Sequence, residues 1–370
     1  CNIESQDPAQ VIAGNERVIL PRLSDSAFFW KTDRKQPLAA RQEQLKTIVF
    51  QNKLGSVYDK SARVAKLAAA IAQKIGGDAA LAERSALLAK CDLVTEMVGE
   101  FPDLQGIMGR YYARLDGEND EVAEALDEQY LPRFAGDKLP QTKSGQAVSL
   151  AEKLDTLVGL FGIGQPPTGV KDPFALRRAA LGVLRIVIES DLDVDLVDLL
   201  EQASQGLDGV LSEDNVTEQV MRYFYDRLRG YAADQGVKAD VFEAVLAVQP
   251  SKPVDFMQRL KAVSAFRELE QAEALAAGNK RIGNILRKND AEDAANDIKD
   301  DLLQEDAEKA LADKLTDITA VVQPLMATAD YTSVLTNLAG MRETVDGFFD
   351  EVMVMADDEA IRQNRLALLN

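Results

Sequence analysis

Arg63-Val64-Ala65-Lys66-Leu67-Ala68-Ala69-Ala70-Ile71-Ala72-Gln73-Lys74-Ile75-Gly76-Gly77 decides the fold class. Val64, Leu67, Ala68, Ile71 and Ile75 recur at intervals of three and four, which puts them on one stripe of a helix. The glycine pair then supplies the left-handed residue on which helices end. The same grammar runs outward in both directions. Asp78–Val98 reads as a second, more evenly apolar helix, and Asp172–Ser190 as a third, with Asp172 at its cap and Pro173 in its first turn. Leu181, Leu184, Val187 and Ile188 line the core face of that third helix. Met221–Tyr231, Asp240–Val248 (Asp240 as cap, Glu243 three on) and Asp255–Ala276 follow, with Pro250 and Pro253 breaking between the last two. Tyr331–Met355 reads as one long closing helix through Val334, Leu338, Met341, Val345, Phe348 and Val352. A short strand is allowed only within the first twenty residues. The expectation is an all-α protein.

Composition narrows the functions. With 46% apolar and 28% charged residues over 370 positions, the chain is a globular protein of two or three domains. Its longest apolar stretches, Ala179–Leu184 and Val352–Ala356, are far too short to span a bilayer. Cys1 allows a processed lipoprotein, but Asn2-Ile3-Glu4 and the remaining composition favour a chain cut from a longer protein. Only Cys91 accompanies it, so a reducing, cytoplasmic setting is expected. Histidine is absent altogether, which excludes Cys/His zinc sites and Ser–His or Cys–His nucleophile pairs. The net charge of −19 disfavours indiscriminate nucleic-acid binding and leaves any RNA contact to local basic patches.

Two stretches interrupt the helices. Residues 159–173 carry four glycines and three prolines and are expected to form an ordered loop or exposed linker. Residues 290–308 hold nine carboxylates against one lysine and are expected to be a solvated surface or insertion.

Several runs together resemble the glycyl-tRNA synthetase β family. They include Gly14-Asn15-Glu16-Arg17-Val18, Pro21-Arg22-Leu23-Ser24-Asp25 with Phe28-Phe29, and Lys31-Thr32-Asp33-Arg34-Lys35. Asp92–Val98, Gly106–Arg114 and Tyr130–Gly136 follow in order. The strongest is Gly162-Ile163-Gly164-Gln165 through Lys171-Asp172-Pro173-Phe174-Ala175-Leu176-Arg177-Arg178 to Gly182, and Asn279-Lys280-Arg281-Ile282, Val352–Met355 and Asn364-Arg365-Leu366 close the series. The resemblance implies an HD-like helical domain over 61–190, preceded by an entry segment, 1–60, that begins it. A helical connecting body, 191–265, and an anticodon-binding-type bundle, 266–370, come next. It further implies a non-catalytic, tRNA-binding subunit of a glycine–tRNA ligase, whose partners are the catalytic α subunit and tRNA(Gly), not DNA or membrane. No cofactor is expected on this chain, ATP and Mg²⁺ being used by the α subunit. Family members begin upstream of this start, so a fragment is expected.

The candidate sites follow from both readings. HD folds hold a divalent ion with a His-Asp pair, an upstream His and a downstream Asp. Here Cys91 precedes Asp92, Arg63 or a neighbour stands for the upstream His, and Glu152 or Asp155 is the downstream carboxylate. Without imidazole such a set holds Mg²⁺ only weakly, so Asp92 is expected to cap or bridge helices. Arg110 and Arg114, interleaved with Tyr111 and Tyr112, suit RNA contact and equally suit a solvated helix end. Leu115-Asp116-Gly117-Glu118 replaces the family's His-Asp-Gly-Glu, which removes any imidazole role there. Lys171, Arg177 and Arg178 flank the free N–H groups of a helix start, where tRNA phosphates would dock, unless they pair with acidic neighbours while the glycines serve tight packing. The absence of Gly-Lys-Ser/Thr rejects a P-loop. Lys280, Arg281, Arg287 and Lys288 put four cations into nine residues, paired by face at a spacing of seven, with Arg362 and Arg365 as candidates to join them. The alternatives are a metal-dependent HD-type phosphohydrolase and a helical protein-binding scaffold.

Overall fold

The computed structural model describes residues 7–169, 171–270, 272–289 and 298–370. Two compact units divide it, one of residues 1–230 with 251–254 and the other of 231–250 with 255–370. The fold is all-α, as the periodicity predicts. The one sheet among the described residues is a two-stranded antiparallel ladder, β1 (Val49–Gln51) with β2 (Gly55–Ser56).

In the first unit, α1 (Pro8–Asp33) occupies the stretch that allowed a strand, and Pro21 sits inside it. α2 (Val57–Lys74) opens with a capping box between Ser56 and Asp59. It closes as its glycine pair demands: Gly76 adopts φ 74°, Gly77 N–H donates to Ala72 O at 2.7 Å, and Gly76 N–H to Gln73 O at 3.4 Å. The expected second helix is broken into α3 (Ala79–Leu88), a 3₁₀ turn over Cys91–Val94, and α4 (Glu96–Glu100). The break has its cause in two side chains, one of them from α1. Thr95 caps α4 through Val98 N–H, and the buried Asp33 carboxylate accepts Glu96 N–H at 2.9 Å and Met97 N–H at 3.0 Å. These side chains replace intrahelical partners and start a new helix there.

α5 (Ile107–Leu115), α6 (Asp120–Glu128), α7 (Lys143–Gly162), α8 (Leu176–Glu189), α9 (Leu196–Gln205) and α10 (Val216–Asp234) complete this unit, whose boundary falls inside α10. α7 is the central helix, packed by α2, α3, α6, α8 and α9 and buried along nearly its whole length. Its small residues permit that crowding. A Cβ at Gly159 would lie 2.9 Å from Leu54 Cδ1, and one at Gly162 would collide with Leu211. Both glycines belong to α7, so the loop expected over 159–173 starts four residues later, at Ile163. Val170, within that stretch, lies outside the described residues.

The second unit holds α11 (Ala239–Leu246), α12 (Pro253–Phe266) from Asp255 on, α13 (Ala272–Lys288), α14 (Asp306–Ala327), α15 (Tyr331–Ala339), α16 (Arg342–Glu351) and α17 (Glu359–Leu369). Asp255–Ala276 is thus two helices, and the expected closing helix breaks at Gly340-Met341 and ends at Val352, which is extended. Leu311, Ile318, Met341, Phe348, Val352 and Leu366 are among the residues of this unit's core. The acidic stretch over 290–308 lies partly outside the described residues, at 290–297. Of its described carboxylates Asp300, Asp301, Glu305 and Asp306 are exposed, as a solvated surface requires, and Glu308 is fully buried.

Candidate functional site

The residues expected to stand for an HD-type metal site are joined by ion pairs. Arg63, on α2, forks onto Asp155 of α7 (Nε–Oδ1 2.7 Å, Nη2–Oδ2 3.1 Å), a bidentate pair with the carboxylate almost fully buried. One turn earlier on α2, Lys60 Nζ lies 2.6 Å from Glu152 Oε1 and donates to Thr156 Oγ1 at 2.7 Å. Lys90 Nζ approaches the same Glu152 oxygen at 3.5 Å. Burial alone would raise the Glu152 carboxyl, but Lys60 and Lys90 hold it down at about 2. Both downstream carboxylates therefore face ammonium or guanidinium groups where a metal site needs open lone pairs.

Asp92 bridges helices. Its Oδ2 accepts Gly106 N–H at 2.6 Å and Gly109 N–H at 3.1 Å, holding the 3₁₀ turn onto the start of α5. Burial pushes its carboxyl up to about 6, against the pull of those two N–H groups. Cys91 is fully buried with its Sγ 3.5 Å from Leu87 O, and burial lifts the thiol to about 12, so it is a core atom and not a nucleophile. Among the described residues no group of three or more Cys, Asp or Glu is placed to hold a metal ion.

The predicted RNA contacts separate by partner. Arg110 lies 3.3 Å from Glu124 and 3.4 Å from Asp127, while Arg114 is paired with Glu124 and lies 3.4 Å from Asp120. α6 thus presents carboxylates to both arginines, which pairs their charge within the unit. At the start of α8 the expected anion socket is already occupied. Asp172 folds back so that its carboxylate accepts Leu176 N–H at 2.8 Å and Arg177 N–H at 3.0 Å, and the helix starts at Leu176 instead of Pro173. Arg177 donates to the Gly169 carbonyl. Lys171 and Arg178 are exposed and make no ion pair among the described residues.

In the second unit, Arg365 departs from the expected role. Its side chain is 7% exposed, its Nε lies 2.6 Å from Glu308 Oε1, and its Nη1 donates to Met353 O at 2.8 Å. Arg365 is an internal strut and cannot reach a phosphate. Arg362 is half-buried, paired with Glu359 and hydrogen-bonded to Ala356 O at 3.1 Å. Lys280, Arg281, Arg287 and Lys288 remain exposed along α13. Ala277, Lys280, Arg281, Asn284, Ile285 and Lys288 line an open groove of about 330 Å³. The Arg281 guanidinium stands 4.1 Å over the Phe349 ring of α16, a contact that holds the cation in place at the groove. Lys280, Arg281 and Lys288 make no ion pair among the described residues.

The sequence reading overlooked a cleft of about 420 Å³ in the first unit, with Lys90, Tyr130, Arg133, Lys153, Phe174 and Arg178 among its lining. Lys153 was the available signal: a charged residue inside a helix with no exposed face.

The class defined by these features is an all-α protein whose Arg63–Asp155 and Lys60–Glu152 positions are closed by salt bridges, with a basic helix face in its second unit. The chain belongs to the glycyl-tRNA synthetase beta subunit family, which residues 1–247 match, and residues 275–370 match the DALR anticodon binding domain. It is 59% identical to the glycine–tRNA ligase beta subunit of Marinobacter nauticus, 56% to that of Vibrio campbellii and 54% to that of Acinetobacter baumannii. Each match runs over 369 residues and covers 100% of this chain but 53% of the relative. The chain therefore spans about half the length of these curated relatives.

Proposed function

We propose that this chain is a tRNA-holding, non-catalytic part of a glycine–tRNA ligase β subunit, working in the cytoplasm with a separate α subunit that activates glycine with ATP and Mg²⁺. It binds no cofactor of its own. One observation carries the reading: within the region matching the anticodon binding domain, α13 offers Lys280, Arg281 and Lys288 around a groove with no described carboxylate paired to them. A cationic row on a helix suits a phosphate backbone, which Asn284 between the cations can supplement with hydrogen bonds. The overall charge of −19 repels RNA at a distance, so affinity rests on this local row. Lys171 is a second exposed cation available to phosphate. The remaining half of the relatives' length is where further tRNA and α-subunit contacts are to be sought.

The test is tRNA binding across a salt series with an Arg281→Glu/Lys288→Glu double variant. Each lost phosphate contact flattens the log–log salt slope by about 0.7 to 0.9, so the pair should remove somewhat under two units. Loss of the Arg281–Phe349 contact costs about 0.5–1 kcal/mol of stability, too little to unfold the bundle. Cognate and non-cognate tRNA should weaken alike, because phosphate contacts carry no sequence information. A folded double variant with unchanged affinity and slope would mean that the row is only a solvated helix face.

A further inference from the structure

The cleft of about 420 Å³ in the first unit has the chemistry of an anion site. Lys90, Arg133, Lys153 and Arg178 line it, against Asp103 and Glu152 as the lining carboxylates. The carboxylates do not balance the cations. Glu152 is shared between Lys90 and Lys60, and Arg133 turns toward Asp127. Lys153 is 8% exposed and finds only neutral acceptors: Leu131 O at 2.8 Å, Ser149 Oγ at 2.6 Å, Gln129 O at 3.3 Å and Ser149 O at 3.4 Å. Arg178 is exposed at the opening and has no hydrogen bond or ion pair among the described residues.

Two further features mark a built site. Gln129 is 1% exposed and its Oε1 has no partner among the described residues, and the Tyr130 hydroxyl is likewise buried and unpartnered. The room for Lys153 also depends on a missing side chain, since a Cβ at Gly182 would stand 2.9 Å from Lys153 Cε. Gly182 of α8 therefore lets the lysine stem cross to the floor of the cleft. Burial pushes the Lys153 ammonium down to about 7; Glu152 opposes the shift, while the positive charges of Lys90, Lys60 and Arg133 add to it. In a chain of net charge −19, positive charge concentrated between low-dielectric walls is a cost unless an anion offsets it.

We propose that this cleft binds a small phosphate monoester of nucleotide size, with Arg178 at its mouth and Lys90 meeting the phosphate and the Lys153 ammonium adding positive charge from the floor. With Arg133 held by Asp127 and Lys90 shared with Glu152, Arg178 and Lys153, once protonated on binding, supply the two positive charges that a dianion needs. A guanidinium and ammonium groups together are the usual phosphate donors. The volume is within the range of small-ligand pockets, about 300–1,000 Å³, and Phe174 on the wall gives a ring an apolar surface. A divalent cation is repelled by the same lining. This inference is independent of the tRNA reading, which rests on α13.

The experiment is calorimetric titration of the full chain with adenosine monophosphate at pH 8, in two buffers of different ionisation enthalpy. Its phosphate is already a dianion there, its second pKa being about 6. Bound phosphate raises the Lys153 pKa above that of the free chain, so binding should take up protons, approaching about one per site. Arg178→Ala should weaken binding at least about fivefold while leaving the proton uptake, and Lys153→Met should abolish the uptake. Because the buried lysine substitution risks misfolding, Arg178→Glu serves as the exposed variant and should remove binding from a folded chain. Failure to bind at millimolar concentration overturns the proposal. So does adenosine binding as tightly as its monophosphate, or an Arg178→Glu chain that binds unchanged. The α13 double variant should leave this titration unaltered, so the two readings fail separately.

Discussion

Replacing Arg365 by Met should destabilise the second unit without weakening its grip on RNA, the reverse of what its candidacy as a phosphate contact suggests. The Glu308 side chain is 0% exposed and that of Arg365 7%, so removing the guanidinium leaves a carboxylate without its partner inside the bundle. Breaking one side of such a buried pair costs about 3–5 kcal/mol. Glu308 keeps two backbone donors, Gln304 N–H and Glu305 N–H, each at 2.7 Å, which favours the low end, about 3 kcal/mol. Loss of the Arg365 bond to Met353 O adds to this. The pH dependence has a definite sign. Burial raises the Glu308 carboxyl, but the Arg365 bond and the backbone donors outweigh it and hold it below its ordinary value. A depressed carboxyl contributes stability above its unfolded pKa of about 4.3 and loses it as pH falls through the folded value. The gap between parent and variant should therefore be full at pH 7 and shrink below about pH 4. Denaturant unfolding, with hydrogen exchange read in α14 and α17, measures it. A variant as stable as the parent at pH 7 that binds tRNA less well would refute the assignment of Arg365 as an internal strut.

Two further outcomes are expected. The chain without an α subunit should show no glycine-dependent ATP–pyrophosphate exchange, and turnover by the pure chain would place activation on these residues instead. Cys91 should resist iodoacetamide at pH 8 in the folded state, because a thiol lifted to about 12 is ionised to only about one part in ten thousand there; rapid labelling, mapped by peptide mass, would show that it is not sealed in the core.

Helical periodicity carried most of the fold into view, because a stripe such as Val64, Leu67, Ala68 and Ile71 reports burial directly. All four are buried in α2. Breaks were harder to read. Tyr331–Met355 keeps its apolar spacing across the turn at Gly340-Met341, so periodicity alone does not expose the interruption. The split between α3 and α4 depends on Asp33, some sixty residues earlier, whose carboxylate supplies the new helix with its first acceptor. A local reading has no access to a cap that arrives from another element. The same limit applies to Asp172, which fills the helix start that sequence alone left open for an anion.

The candidate contacts show why composition misleads about charge. Arg110, Arg114, Arg281 and Arg365 all read as exposed cations in sequence, yet their fates diverge with what the neighbouring helix presents. α6 offers Asp120, Glu124 and Asp127 to the first two, and α14 offers Glu308 to the last. α16 offers Arg281 the face of Phe349, an aromatic surface that holds the guanidinium without neutralising it. A carboxylate partner removes a cation's long-range field, whereas a ring orients the cation and leaves the field outward. In a chain with 61 acidic residues against 42 basic ones, a cation left without a carboxylate keeps its field directed outward. By that criterion the α13 row and the Lys153–Arg178 cleft differ from Arg110, Arg114 and Arg365. Their positive charge is positioned by rings, carbonyls and a hydroxyl, and so remains directed at a ligand.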